Sequence, residues 1–376
     1  LEQTVRAQEV RLAELEQRGG AEPGHQAGEI ILSGEGAVGY FDSGKAGAYP
    51  DGEFRIDEAK LFLDARLLPT VFFFAELNIR EREEQDGEEV RFGELYLEIE
   101  DVAGAWREDL VNLRLGRFDI PFGEEYQQRD AIDNPLVSHS LADPWGFDEG
   151  LCVYGRQGRW DYVLAVQNGG DPATRDYNSD KAVTVRVGVE PATGLRLSVS
   201  AYRTGDLEVE GDEMSEMWFG NGVFIPLGAP ETTRSFEVEM QQVDARYRWS
   251  SGQVLATLGR VEFDDDEPAA DHQRDGWYGS LEAVQDITPK LFAAARYSRI
   301  EMDDGYPMVG QGDSGVLYGP APPQVESLWR LSAGVGYRWD RRFITKLEYS
   351  VERGELLDGT DIEDRDLASL QQAFRF

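Results

Sequence analysis

Residues 110–150 read LVNLRLGRFDIPFGEEYQQRDAIDNPLVSHSLADPWGFDEG, and this stretch decides the fold. Its first part alternates, with Val111, Leu113 and Leu115 on one side and Asn112, Arg114 and Gly116 on the other. Apolar residues at period two on one face make a β-strand. Pro121 and Gly123 stop it, and about 25 residues without strand periodicity follow, longer than an ordinary connection in a compact domain. That segment holds Phe118, Ile120, Phe122, Ile132, Leu136, Val137, Leu141, Trp145 and Phe147, too many apolar groups for a disordered linker. It reads as a folded loop packed against something large. In a β-barrel the available interior is the lumen, so an inward-folded loop over 119–149 makes the constriction.

Composition agrees once barrels are considered. The chain has 376 residues, a formal net charge of −35 and 41% hydrophobic residues, with a mean hydropathy of −0.48. No apolar run approaches the roughly 20 residues of a membrane helix. Barrel strands hide their lipid-facing half among polar lumen residues, so this does not speak against a membrane. One cysteine, Cys152, rules out an intramolecular disulfide. A first residue of Leu1 rather than Met fits a signal peptide already removed. The acidic balance argues against nucleic acid as a partner.

Working outward, residues 1–18 contain no Gly or Pro, and Leu1, Val5, Gln8, Leu12 and Leu15 form an a/d seam. The expectation is a short coiled-coil helix tying protomers together, the alternative a frayed amphipathic terminus, since so few heptads are not stable alone. Residues 19–28 read as a linker. Strands then recur at 29–40, 53–66, 71–80, 90–100 and 110–118. After the long loop they continue at 149–156, 160–168, 181–190, 195–204, 234–249, 253–263, 275–285, 291–300, 327–339, 343–351 and 366–376.

The connections alternate in length. Those at 157–159, 191–194, 250–252, 287–290 and 340–341 are short; those at 205–233, 264–274, 302–325 and 352–365 are long. A short end and a long end are the pattern of an outer-membrane barrel. Trp160, Trp249, Trp339, Tyr247 and Tyr337 stand beside short turns, where an interfacial girdle belongs. The predicted fold is therefore all-β: a transmembrane antiparallel barrel of about sixteen strands over 29–376, in a Gram-negative outer membrane, ending on a strand with Phe374 and Phe376.

The residues 113–125, LRLGRFDIPFGEE, with their R-x-G-R-F-x-x-P-F-G core, resemble the phosphate-selective porin O/P family. Strand count, the loop after the fifth strand, the Phe terminus and the heptads extend the resemblance over most of the chain. It implies a homotrimeric channel for passive diffusion of small anions, phosphate or polyphosphate in some members and dicarboxylates in relatives, through a basic constriction.

Assigning apolar faces to lipid leaves a wall of lumen residues. The basic ones are Lys60, Arg66, Arg80, Arg114, Arg186, Arg196, Arg246, Arg248, Arg296, Arg330, Arg338 and Lys346; the acidic ones include Asp64, Glu76, Glu94, Glu98, Asp161, Asp244, Glu282 and Glu348. Basic residues outnumber acidic ones, which favours anions, because a charged ring in a low-dielectric tube selects by sign. The alternative is interstrand ion pairing that only holds the wall. Arg66, Arg248 and Arg338 would frame the periplasmic mouth. The constriction set is Arg114, on the strand that launches the loop, with Arg129, Asp130, Asp133, His139 and Asp143 from the loop. The loop is otherwise acidic, with Asp119, Glu124, Glu125, Asp148 and Glu149, so a cation-favouring general porin is the competing reading.

Outer connections carry Asp206, Glu208, Glu210, Asp212, Glu213 and Glu216, then Asp264, Asp265, Asp266 and Glu267, then Asp358, Asp361, Glu363 and Asp364. These suit a cation-concentrating vestibule, divalent bridges to lipopolysaccharide, or simply a solvated surface. Their oxygens are of the kind Ca²⁺ or Mg²⁺ take, without an EF-hand register. No cofactor is expected. No Ser/His/Asp nucleophile context appears, so an enzyme is not expected. A third reading is a structural, adhesive or partner-scaffolding barrel with a plugged lumen.

Overall fold

A computed structural model describes residues 29–80, 90–102, 104, 110–170, 176, 178–210, 217–219, 222–223, 225–228, 231–307 and 324–376. The expected coiled-coil helix (1–18) and linker (19–28) lie outside these residues. Among the described residues, sixteen long antiparallel strands close on themselves. They are β1 (Ile30–Ser43), β2 (Glu53–Leu68), β3 (Val71–Arg80), β4 (Arg91–Ile99), β5 (Asn112–Asp119), β6 (Phe147–Gln157), β7 (Trp160–Gln167) and β8 (Ala182–Ala192). The second half is β9 (Leu195–Arg203), β10 (Ser235–Trp249), β11 (Gly252–Asp265), β12 (Arg274–Asp286), β13 (Leu291–Pro307), β14 (Gln324–Arg338), β15 (Phe343–Leu356) and β16 (Leu367–Arg375). Each strand pairs with its sequence neighbour, and β16 closes on β1 from Glu35↔Arg375 to Ser43↔Leu367.

Closure leaves no free sheet edge, which the absence of water in a bilayer demands. The alternation seen in the sequence sets the two faces. On β8, Val183, Val185 and Val187 are exposed while Thr184 and Arg186 are buried. On β10 to β12, Val243, Leu258 and Leu281 look outward, and Gln242, Thr257 and Ser280 inward. The outward row is an apolar belt. Trp160, Trp249, Trp339, Tyr247 and Tyr337 edge it at the short-turn end, all of them exposed. Two-residue turns at 158–159 and 193–194 use Gly158 (φ 62°) and Gly194 (φ 80°). A side chain at Gly194 would also meet the Arg248 carbonyl at 2.2 Å.

One irregularity matters for the lumen. Along β1–β2 the register passes from Ala37↔Glu58 to Val38↔Ile56, so Asp57 is an extra residue. This β-bulge breaks strict alternation, and Asp57 and Glu58 are both buried inward.

The interior is not an empty tube. The outer half, along β8 to β14, is filled by an apolar core. Wall residues such as Met240, Phe263, Tyr278 and Ile300 pack there with Ile120, Phe122 and Leu141 from the third outer loop (120–146), and with Leu207, Val209 and Met217 from the fifth (204–234). The two loops also pair as strands, Trp145 with Trp218 and Pro144 with Phe219.

Candidate functional site

The third loop is seated on the wall by buried basic side chains. Each has a partner that explains why a charge can lie there. Arg186 donates to the Gly123 carbonyl at 2.8 Å, and the Gly123 N–H donates to Ser200 Oγ at 3.0 Å. Gly123 has φ 71°, a turn that favours glycine. Arg196 clasps Glu124 with Nε, at 2.9 Å to both oxygens, and Asp161 with its two terminal nitrogens, at 2.6 and 2.8 Å. Arg246 lies 3.8 Å from the same Glu124. Arg296 donates to the Ser138 carbonyl at 2.7 Å and to Asn134 Oδ1 at 2.9 Å, and its Nε donates to Glu282 at 3.0 Å. Arg330 joins the His139 carbonyl to Glu352.

On β15 a two-residue device holds the loop's tip. Lys346 Nζ donates to the carbonyls of Ala131 (2.7 Å), Asn134 (3.1 Å) and Leu136 (2.8 Å). Glu348 accepts the N–H groups of Val137 and Ser138 and the Ser138 hydroxyl. The same face of one strand thus satisfies loop acceptors with a cation and loop donors with an anion, as buried backbone requires.

Burial acts to raise the Glu124 carboxyl, but the guanidinium groups of Arg186, Arg196 and Arg246 outweigh it and hold its pKa at about 2. Asp130 is likewise opposed by burial and held below the ordinary carboxylate range, by Lys60 at 2.8 Å. Glu125 goes the other way, raised by burial and by the neighbouring Glu282.

The residues expected at the constriction fall into three places. Arg129, His139 and Asp143 come together as a staple inside the loop. Arg129 pairs with Asp143, lies 3.0 Å from His139 Nδ1 and stacks 4.0 Å over Trp145. Asp130 and Asp133 face the wall, on Lys60 (2.8 Å) and Arg375 (2.7 Å). Arg114 is apart, low on β5, with Nε and Nη2 on Glu98 at 3.0 and 2.7 Å and its guanidinium 4.1 Å from the Tyr96 ring. Of the wall set, Lys60, Arg186, Arg196, Arg246, Arg296, Arg330 and Lys346 all reach the loop. Arg80 occupies the last position of β3.

Between the loop and the β1–β5 wall lies a cavity of about 820 Å³ that extends to the short-turn mouth. At loop level it is lined by Glu35, Glu58, Glu76, Glu94, Asp119, Asp130 and Asp133, against Lys60, Arg129 and Arg375. At the mouth stand Arg248, Arg338 and Arg341 with Asp286 and Asp340, Arg338 being paired to Asp286 at 2.7 Å. Glu35 and Glu58 do not stand out in the sequence as lumen residues. Glu58 faces inward beside the bulged Asp57; Glu35 alternates inward between two glycines, in a strand whose apolar face was read from Ile30, Leu32 and Val38 alone. Glu35, Glu58 and Asp130 bring one carboxylate oxygen each within 4.8 Å of one another. Lys60 on Asp130 and Arg375 on Glu35 already counter their charge.

No family model and no curated protein matches the chain. Solved barrels do. The outer membrane channel DcaP of Acinetobacter baumannii has a TM-score of 0.62 at 11% identity, covering 93% of this chain and 98% of that one. OmpT, an outer membrane protein of Vibrio cholerae, gives 0.60 at 10% identity over 94% and 99%. An anion-selective porin from Comamonas acidovorans gives 0.55 at 11% identity over 92% and 98%. At such identities the likeness is one of fold: a porin-like sixteen-stranded barrel. Barrel closure, apolar belt and aromatic girdle put the chain in an outer membrane.

Proposed function

We propose that the barrel is a diffusion channel for small charged solutes, constricted by its third loop and preferring cations. One observation carries this: most basic wall residues hold the loop, whereas the cavity that remains is lined by nine carboxylates against six cations. In a narrow low-dielectric passage the groups facing water set the field. On this reading the chain does no chemistry on its solute, and the anions that the phosphate-selective resemblance implies pass less readily. The anion-selective Comamonas porin is the counter-example.

Self-association fits the outer face. On β1 to β4 the apolar surface continues to the outer ends, with Phe54, Ile56, Ile79 and Phe92 exposed. On β9 to β12 the outward row at that height carries ion pairs beside the exposed Trp277, Arg203 with Glu237 and Glu239, and Arg260 with Glu262 and Asp275. A second and third copy would cover the apolar flank, with residues 1–18 as a coiled coil joined through linker 19–28 at the short-turn end, where β1 begins, and the charged flank would meet lipopolysaccharide headgroups. One solved OmpT structure is a trimer form.

The test is single-channel current in a planar bilayer, with the reversal potential under a KCl gradient. A potassium-side potential is expected. A chloride-side potential returns the anion reading, and no stepwise conductance returns the plugged, scaffolding barrel.

A further inference from the structure

Across β2, β3 and β4 the cavity wall carries two parallel rows. The first is aromatic. Phe62 stacks on Phe74 with ring centroids 6.0 Å apart, and Phe74 on Tyr96 at 5.2 Å. All three line the cavity. The second row is acidic and lies nearer the loop. On β3 Glu76 follows Phe74 on the same face; on β4 Glu94 precedes Tyr96 on the same face. Asp119, whose N–H donates to Glu94 Oε1 at 3.0 Å, continues this row to the base of the loop. Same-face neighbours in a strand are about 7 Å apart, which sets the spacing of the rows.

Lys60 stands 3.7 Å from Glu76 and is closer to Asp130 at 2.8 Å. Arg114 stands 3.8 Å from Glu94 and is closer to Glu98 at 2.7 Å. Gly93 gives Glu76 its room, because a side chain there would come within 2.6 Å of Glu76 Oε1.

From these rows we infer that the cavity is a binding site for organic cations with a flat apolar body and an ammonium or amidinium head on a short linker. The carboxylates take the head, and the Phe62–Phe74–Tyr96 strip takes the body through apolar and edge contacts. A small inorganic cation uses only the acidic row, and an aromatic anion only the aromatic one. The inference rests on the cation-preferring channel proposed above and names its preferred solute.

Phenethylammonium, added to the bilayer during single-channel recording in KCl, tests it. Resolvable interruptions of the current are expected at millimolar concentration. Ethylammonium, which has the head without the ring, and phenylacetate, which has the ring without the head, are expected to give none. Glu76→Gln and, separately, Phe74→Leu are each expected to shorten the interruptions about fivefold. Potassium-side conductance with identical traces for all three probes overturns this inference and leaves the channel reading standing. Interruptions unchanged in both variants place the blocker elsewhere and overturn it too. No stepwise conductance in KCl removes both.

Discussion

The two sides of the inner wall carry charge to different ends. Along β8 to β15, Arg186, Arg196, Arg296, Arg330 and Lys346 are buried beneath the third loop and bonded to its carbonyls and carboxylates. Along β1 to β5, Glu35, Glu58, Glu76 and Glu94 line the open cavity. The first side is richer in cations by residue count, yet its cations serve as fasteners. Charge acts on a permeating ion according to what faces the water, so a tally of the wall alone does not set the field.

The largest effect expected from disturbing this division is on the fastened side. Arg196→Met leaves Glu124 and Asp161 buried without their shared partner, a loss of about 3–5 kcal/mol. Urea titration of the barrel in lipid vesicles measures it, and an unchanged midpoint would mean that the loop is held elsewhere. Next comes the open side. Glu76→Gln combined with Glu94→Gln is expected to lower the cation-to-anion permeability ratio about threefold, read as a shift of reversal potential towards zero. No shift would remove these carboxylates from the permeation path.

Acid sharpens the comparison at intermediate size. Glu124, held at about 2, is depressed below its unfolded value of about 4.3. Its contribution to loop anchoring is therefore complete above pH 4.3 and is lost as pH falls through 2. Channel noise should stay flat between pH 7 and 4.5 and rise on further acidification; noise that rises already near pH 6 contradicts the anchor. The smallest effect expected is that of Arg114→Ala. Glu98 and Tyr96 absorb this guanidinium away from the loop, so the reversal potential should move little, and towards the potassium side as Glu94 loses a neighbour.

Much of this was legible in the sequence, and the limits have physical causes. Alternation on β8 and β14, the unequal connections and the apolar load of the third loop were enough for a sixteen-stranded barrel with an inward loop, because period two and turn length are local properties. Glu58 was not legible, since the inserted Asp57 that breaks the alternation of β2 shows only in the pairing with β1. The role of Lys346 was not legible either. A lysine on a polar strand face reads as a lumen charge until Ala131, Asn134 and Leu136 turn their carbonyls onto it from 210 and more residues away. Arg129, His139 and Asp143 were named together from the loop, yet their mutual pairing depends on a fold that periodicity does not describe.

Those sequence separations have a further consequence, for the order of assembly. The third loop emerges after the fifth strand, yet its seats on Arg296, Arg330, Lys346 and Glu348 belong to β13, β14 and β15, and Asp133 meets Arg375 at the chain's last strand, 242 residues on. Contacts of such range form slowly and late. The narrow passage beside the loop is therefore completed only as the barrel seals, when the last strands bring in its remaining seats.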